Sequence, residues 1–261
     1  MAANQTRPSK AERREAARKA AQALAAKQAA TDRRNRLIII GASVLVVLLV
    51  IAAGVIIFRA SQKTLLSDFD GTRPEASTAT GGITFGADMV AGTVNEGATE
   101  LDVYLDFMCP GCGQFDQLNR DDIAAMVSDG TVTLNVHPLE FLNRFSMGTE
   151  YSSRSANAFA TVANDSPEHA IVFMEALFDN QPAENTEGLS DEQMVELAIE
   201  VGVPQEVADS FTEGTFRDWV AVASEQSTVD GVTGTPTVFI DGSKWAGNWG
   251  EPGALLAAVQ G

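Results

Sequence analysis

The sequence from residue 101 to residue 112 reads LDVYLDFMCPGC. Its first seven residues alternate apolar with polar or aromatic side chains and are rich in strand formers, which predicts a β-strand. From Cys112 to Met126 the apolar residues follow helical spacing, and Asp129-Gly130 ends that segment. Cys109 and Cys112 are therefore predicted to lie where a strand gives way to a helix.

The motif Cys109-Pro110-Gly111-Cys112 contains both cysteines of the protein. A thiol at a helix N-terminus meets unpaired backbone N–H groups and the positive end of the helix dipole, which stabilise the thiolate and lower its pKa. Two intervening residues let one helical turn bring Cys112 beneath Cys109, so a bridge can open and close with little backbone movement. Pro110 suits the first turn because its missing N–H is not needed there. The motif predicts a redox-active dithiol.

A structural disulfide and a metal site are the alternative interpretations of this pair. A disulfide stabilises a fold more when it closes a longer loop, so such a short ring would contribute little. A zinc site needs four ligands, and only His137 and His169 remain, without a second close pair of ligands. We therefore predict no metal and no cofactor other than the redox-active disulfide itself.

Charge and hydropathy divide the chain into a basic N-terminal part and a large acidic part. Residues 1–36 carry ten Lys or Arg and three acids, about +7, whereas the chain from Arg59 onward carries about −24. Between them, residues 37–58 hold no charge, and a helix of that length spans about 33 Å, enough for a hydrocarbon core of about 30 Å. We predict a basic cytoplasmic tail over 1–36 and a transmembrane signal anchor over 37–58.

The basic residues also predict the orientation of this segment. More of them precede the apolar run than follow it, so the positive-inside rule places residues 59–261 outside the cytoplasm, where disulfides can form and persist. A cleaved secretory signal is the alternative, but both its basic and apolar regions would be unusually long. The basic tail can rest on anionic headgroups and has no aromatic residues among its charges, so we expect membrane lipid and no nucleic acid as a partner.

The rest of the chain is predicted to hold a flexible linker and one domain. Small and polar residues dominate up to residue 81, so we expect the linker over 59–81 and the domain over 82–261. Ala-rich segments separated by Pro and Gly predict a helical insertion of about four helices at about 149–225. With a late hairpin and a closing helix, the predicted order is β, β, α, β, helical block, β, β, α, which is an α/β fold.

Residues 234–237 read Gly-Thr-Pro-Thr and precede the late hairpin. Together with the cysteine motif after a strand and the helical block, they make the chain similar to the DsbA-type thiol:disulfide oxidoreductases, particularly the membrane-anchored forms of actinobacteria. The resemblance covers roughly residues 82–261. It implies a thioredoxin fold with a helical insertion and a cis Thr235-Pro236 bond packed against the cysteine pair.

The resemblance also implies roles for individual residues. Cys109 matches the exposed nucleophile, Cys112 its buried partner, and Thr235 with Pro236 the loop that receives the extended chain of the substrate. It implies reduced secreted or membrane proteins as substrates and a membrane quinone-linked reoxidising partner of the DsbB or vitamin K epoxide reductase type.

Two positions depart from the pattern of the family. Thioredoxins and several relatives have a buried acid six residues before the first cysteine, where this chain has Val103. Asp106 lies nearer the motif and is predicted to serve either in proton transfer at Cys112 or as a structural hydrogen-bond partner. The strongest oxidants of the family carry His where this chain has Gly111, so we expect the thiolate here to rely on backbone donors alone and the reduction potential to be less oxidising than theirs.

The predicted function is an extracytoplasmic enzyme that introduces disulfide bonds into secreted or membrane proteins. Two alternatives remain open: a disulfide reductase or isomerase on the same fold, and a non-catalytic thioredoxin-like module that binds partners or acts as a chaperone. A reduction potential separates oxidase from reductase, and replacement of both cysteines tests the non-catalytic module.

Overall fold

The structure of the chain, a computed structural model, describes residues 10–61 and 64–261. One compact unit ends at Lys63 and contains α1 (Lys10–Ser61), in which Lys19 and Glu15 form an i,i+4 ion pair of 2.9 Å. No helix in the described ranges is both long and apolar enough to cross a membrane. The side chains at 37–39 and 55–58 lie outside the described residues, so the transmembrane segment over 37–58 stays a prediction.

The second compact unit, Thr64–Gly261, is built on a five-stranded sheet of order β1-β3-β2-β4-β5. Its strands are β1 (Ile83–Phe85), β2 (Thr99–Leu105), β3 (Val132–Pro138), β4 (Thr237–Ile240) and β5 (Ser243–Lys244). The central strand β2 runs parallel to β3 and antiparallel to β4, and Leu101 pairs with Leu134 on one side and Ile240 on the other. The C-terminal end of β2 therefore leads the chain from the middle of the sheet into the cysteine motif.

A helix follows β2 and brings the chain back to form its parallel neighbour. This helix, α2 (Pro110–Ser128), packs against β3 and against the closing helix α8 (Ala254–Gln260). Its buried side chains, including Phe115 and Met126, recur at helical spacing, which is why the sequence forms an amphipathic helix here. The β2-α2-β3 unit has the long crossover that a parallel strand pair requires.

The helical insertion between β3 and β4 contains five α-helices, one more than the four predicted. They are α3 (Tyr151–Asp165), α4 (Ala170–Asp179), α5 (Asp191–Glu200), α6 (Gln205–Asp209) and α7 (Arg217–Val229). Most of α3 is buried, because it contacts the other four helices and β3. Phe107, just after β2, packs against Phe159 of α3 and Phe178 of α4 with ring centroids 5.9 and 5.0 Å apart. The insertion thereby fixes the segment that leads into the cysteine motif.

The structure differs from the prediction in where this domain begins. Residues 64–81 were expected to form the end of a flexible linker, but the compact unit starts at Thr64 rather than at residue 82. Leu66 is 1% exposed, and the backbone N–H of Leu65 donates to Oε1 of Gln226 on α7 at 2.6 Å. The polar composition of this segment suggested a linker, but the polar residues form caps and turns that order the chain, such as the capping box that starts at Thr64.

Replacing Leu66 with Ala is expected to lower the free energy of unfolding by about 2–5 kcal/mol, because a buried leucine side chain is removed from the core. Leu65→Ala is the matched control, since that neighbouring side chain is 39% exposed, and it should cost less than about 1 kcal/mol. Urea unfolding of the full-length chain measures both. Equally small effects would show that residues 64–81 lie outside the cooperative unit.

Candidate redox site

Cys109 caps the N-terminus of α2. Its backbone is extended (φ −78°, ψ 115°), and its carbonyl oxygen accepts the N–H groups of Cys112 at 2.9 Å and Gly113 at 3.3 Å. Pro110 occupies the first turn of the helix, where a backbone N–H would have no partner within the helix. The strand-to-helix junction predicted from the sequence is therefore present at the cysteine motif.

The two thiols are unlinked and lie in different environments. A hydrogen bond from Cys112 is the main cause that lowers the pKa of Cys109 to about 6, and the Thr235 side chain and the backbone N–H groups of Cys112 and Gly111 add to it against the opposing effect of burial. Burial raises the pKa of Cys112 well above its ordinary value, and the neighbouring Cys109 raises it further. At neutral pH the pair therefore consists of a Cys109 thiolate and a Cys112 thiol.

The loop before β4 closes over the cysteine pair. The Thr235-Pro236 peptide bond is cis, as the resemblance implies, and the carbonyl oxygen of Thr235 lies 3.3 Å from Sγ of Cys109. A Cβ atom at Gly111 would lie only 3.2 Å from Cδ of Pro236, so this loop leaves little room for a side chain there. The structure thus brings Cys109, Gly111, Thr235 and Pro236 into one site.

Asp106 lies fully buried directly behind the motif. Its carboxylate accepts three hydrogen bonds: from the backbone N–H of Met108 at 2.8 Å, the backbone N–H of Leu142 at 2.9 Å and the hydroxyl of Ser152 at 2.7 Å. Its own backbone N–H donates to Sγ of Cys112 at 3.4 Å. Burial raises the pKa of Asp106 to about 6 despite the three hydrogen bonds that lower it. Asp106 therefore has a full set of structural partners and also a pKa suited to proton transfer near neutral pH.

An open groove of about 620 Å³ adjoins Cys109. One wall comes from the loop after β3, including Phe141 and Leu142, and another from the loop before β4, including Val232. Arg144 and Glu184 add one charge of each sign to the lining. The groove combines apolar and polar surface and adjoins the sulfur of Cys109.

Gln181 is a contact of this site that the sequence analysis did not single out. Its side-chain Nε2 donates to the carbonyl oxygens of Phe107 at 3.0 Å and Cys109 at 2.9 Å. A glutamine after a helix has no local sequence signal for such a contact, because the two carbonyls lie more than seventy residues earlier in the chain. Only the packing of α4 against α2 brings these groups together.

Comparison with known proteins places this fold and site among redox proteins. Residues 85–254 match the profile of the family described as Thioredoxin. Among solved structures, reduced DsbG of Mycobacterium tuberculosis is 28% identical with a TM-score of 0.59 and covers 69% of this chain and 86% of its own. DsbA of the same organism is 27% identical with a TM-score of 0.59, covering 69% and 91%. MdbA of Actinomyces oris, a thiol-disulfide oxidoreductase, is 25% identical with a TM-score of 0.59, covering 76% and 92%.

Curated relatives include the serine/threonine-protein kinase PknE of Mycobacterium tuberculosis, which is 31% identical over 169 residues. That alignment covers 62% of this chain and 30% of the kinase, so the chain spans less than a third of the length of these relatives.

The thioredoxin-like sheet, the helical insertion and these structural matches define a thiol–disulfide oxidoreductase of the DsbA type. Since the family match extends over more than half of its length, the chain belongs to the thioredoxin family.

Proposed function

We propose that this protein is an extracytoplasmic oxidase that introduces disulfide bonds into reduced secreted or membrane proteins. The observation that carries the proposal is the contrast between the two thiols. Both side chains are buried, so Cys109 is less exposed than the resemblance implies. Cys109 is 8% exposed, has a lowered pKa and adjoins an open groove, whereas Cys112 is 1% exposed and has a raised pKa. A thiolate of low pKa is a good leaving group, which favours release of an oxidised substrate from Cys109.

The reaction starts from a disulfide between Cys109 and Cys112. A substrate thiolate attacks Sγ of Cys109, the bond between the two cysteines breaks, and Cys112 leaves with the electron pair and takes up a proton, for which Asp106 is the nearby donor. A second substrate thiolate then attacks the substrate sulfur of the mixed disulfide, and Cys109 leaves as a thiolate. The substrate has lost two electrons and gained a disulfide, and the protein holds the dithiol.

The groove beside Cys109 supports a protein chain as the substrate. Its mixed apolar and polar walls, which include Thr235, suit an extended peptide, and the resemblance gives Thr235 and Pro236 the role of receiving one. Return to the disulfide needs an acceptor of two electrons and two protons. We infer that a membrane quinone fills this need through a partner of the DsbB or vitamin K epoxide reductase type.

The proposed location rests on the N-terminal sequence. The uncharged run at 37–58 serves as a membrane anchor, the basic tail over 1–36 lies in the cytoplasm against anionic lipid, and the domain lies outside. This arrangement keeps the redox site in a compartment where disulfides persist and close to a quinone in the membrane.

The reduction potential of the full-length chain tests the direction of electron flow. Equilibration in glutathione buffers followed by thiol trapping is expected to give a value nearer the oxidising end of about −120 mV than the reducing end of about −270 mV, because the reduced form is stabilised by the Cys109 thiolate. A potential of about −270 mV would contradict the oxidase and favour a reductase. A bridge that glutathione cannot open in the folded protein would overturn the redox function itself.

A further inference from the structure

Gln181 joins the helical insertion to the backbone of the redox motif. It lies two residues beyond the end of α4, and its side-chain amide donates to two carbonyl oxygens, those of Phe107 at 3.0 Å and Cys109 at 2.9 Å. Phe107 is fully buried and Cys109 is 8% exposed, so both acceptors are shielded from water. One side chain thereby fixes the backbone on both sides of Met108, immediately before α2 begins.

The position of Gln181 is itself fixed by contacts between α4 and α2. Arg120 of α2 forms a two-point ion pair with Asp179, the last residue of α4, at 2.8 and 3.3 Å. The same guanidinium also pairs with Asp116 on α2. On the other side, the ring of Phe178 packs on Phe107. The amide of Gln181 therefore approaches the motif from a supported segment and not from a free loop.

Gly113 provides the space that Gln181 occupies. A Cβ atom at this position would overlap Oε1 of Gln181 and would lie 3.2 Å from its Cδ. A glycine in the first turns of a helix lowers helix stability relative to alanine. The glycine thus has a specific steric reason here, which is the close approach of the Gln181 side chain to α2.

We propose that Gln181 is a positioning residue for the redox reaction: its amide holds the Cys109 backbone so that the Cys109 sulfur stays over the N–H groups of the first turn of α2. The inference deepens the proposed function and rests on it. The Cys109 carbonyl accepts the N–H groups of Cys112 and Gly113 as well as the Gln181 amide, so the amide stabilises the same turn that binds the thiolate. Gln181 touches no reacting atom and acts through Cys109.

Loss of this amide is expected to weaken the contact between the thiolate and its backbone donors. In the Gln181→Met variant, which keeps the side-chain length and removes both donors, the pKa of Cys109 should rise by about half a unit to one unit. Release of Cys109 from a mixed disulfide should slow about two- to fivefold, because the leaving thiolate is less stable. Asn180→Ala is the matched control, since that exposed side chain bonds only to Ala176 in its own helix.

The test is a pH titration of thiolate absorption in the reduced full-length chain, with stopped-flow thiol exchange as the second readout. Two further variants test whether Gly113 and Gln181 act through the same contact. Gly113→Ala should displace the amide and raise the pKa of Cys109 as much as Gln181→Ala does, and the Gly113→Ala/Gln181→Ala double variant should show no further rise. A Gln181→Met variant that melts at a lower temperature but keeps the wild-type pKa and exchange rate would overturn the inference. So would additive shifts in the double variant. The titration does not depend on the direction of electron flow, so it stands apart from the reduction-potential test of the oxidase.

Discussion

Replacing Cys109 with Ser is expected to slow disulfide formation in a reduced substrate protein by about a thousandfold or more, because the thiol with the lowered pKa is removed. The companion variant, Cys112→Ser, should also lose turnover but behave differently toward substrates. Its Cys109 thiolate can still attack a substrate protein that carries a disulfide, which forms a mixed disulfide and releases one substrate thiolate, and no second thiol of the motif is left to resolve the adduct. Non-reducing electrophoresis after acid trapping should therefore reveal substrate adducts for Cys112→Ser and none for Cys109→Ser.

This pair of variants also separates the enzyme from the non-catalytic alternative. If both Ser variants still protect secreted proteins from aggregation, that result would favour a binding or chaperone module. Adducts that form through Cys112 instead would reverse the assigned roles of the two thiols. The deeper burial of Cys112 argues against that reversal, since its side chain is 1% exposed and that of Cys109 is 8% exposed.

Asp106→Asn is expected to slow the proton-dependent step at Cys112 by about a hundredfold, within the range typical of general acid–base catalysis. In the reverse of the proposed reaction, Cys112 resolves a mixed disulfide by attacking Cys109, so the Cys112 thiol must lose its proton to a base, and its pKa is raised by burial. The pKa of Asp106, about 6, makes it a base above that pH. In the natural protein, the rate at which Cys112 resolves a mixed disulfide should rise as the pH passes through about 6. This pH dependence should disappear in Asp106→Asn.

The pH dependence of the free energy of unfolding provides an independent measure of the pKa of Asp106. Burial raises the folded pKa of Asp106 from 3.8 to about 6, so the folded state favours the protonated form. The resulting stabilisation, about 3 kcal/mol, is fully present below about pH 4 and is lost as the pH rises through about 6. Urea unfolding between these pH values should record that loss in the natural protein and not in Asp106→Asn.

Ser152→Ala is the control that separates proton transfer from structural support. It removes one of the three hydrogen bonds to the carboxylate but keeps the acid, so it should lower stability and preserve the pH dependence of the rate. An Asp106→Asn variant that loses stability but keeps the natural pH–rate profile would leave Asp106 with a structural role alone.

The parts of the fold that the sequence could predict are those with local patterns. The alternation over residues 101–107 and the helical spacing after Cys112 depend on near neighbours in the chain, and both elements are present. The cis bond before Pro236 came from the family resemblance, since X-Pro bonds are mostly trans. The local patterns likewise predicted an α/β fold, and the family resemblance predicted that it is the thioredoxin fold.

The features that the sequence did not reveal depend on contacts between distant residues. The amide of Gln181 meets Cys109 only because α4 lies beside the motif, and no spacing in the chain encodes that contact. The burial of Leu66 depends likewise on α7, which follows far along the chain. Two of the three partners of the Asp106 carboxylate, Leu142 and Ser152, come from later segments of the chain, so its hydrogen bonds could not be predicted from its position next to the motif alone.

The pairing of β2 has a consequence for how the newly made chain reaches its folded state. Leu101 finds its partner Ile240 only after the whole helical insertion has been synthesised. Until residues 237–240 arrive, the central strand presents an open edge, which can pair with other unfinished chains, and such distant pairings form slowly. During its own biogenesis this protein is therefore exposed to aggregation until residues 237–240 have joined the sheet.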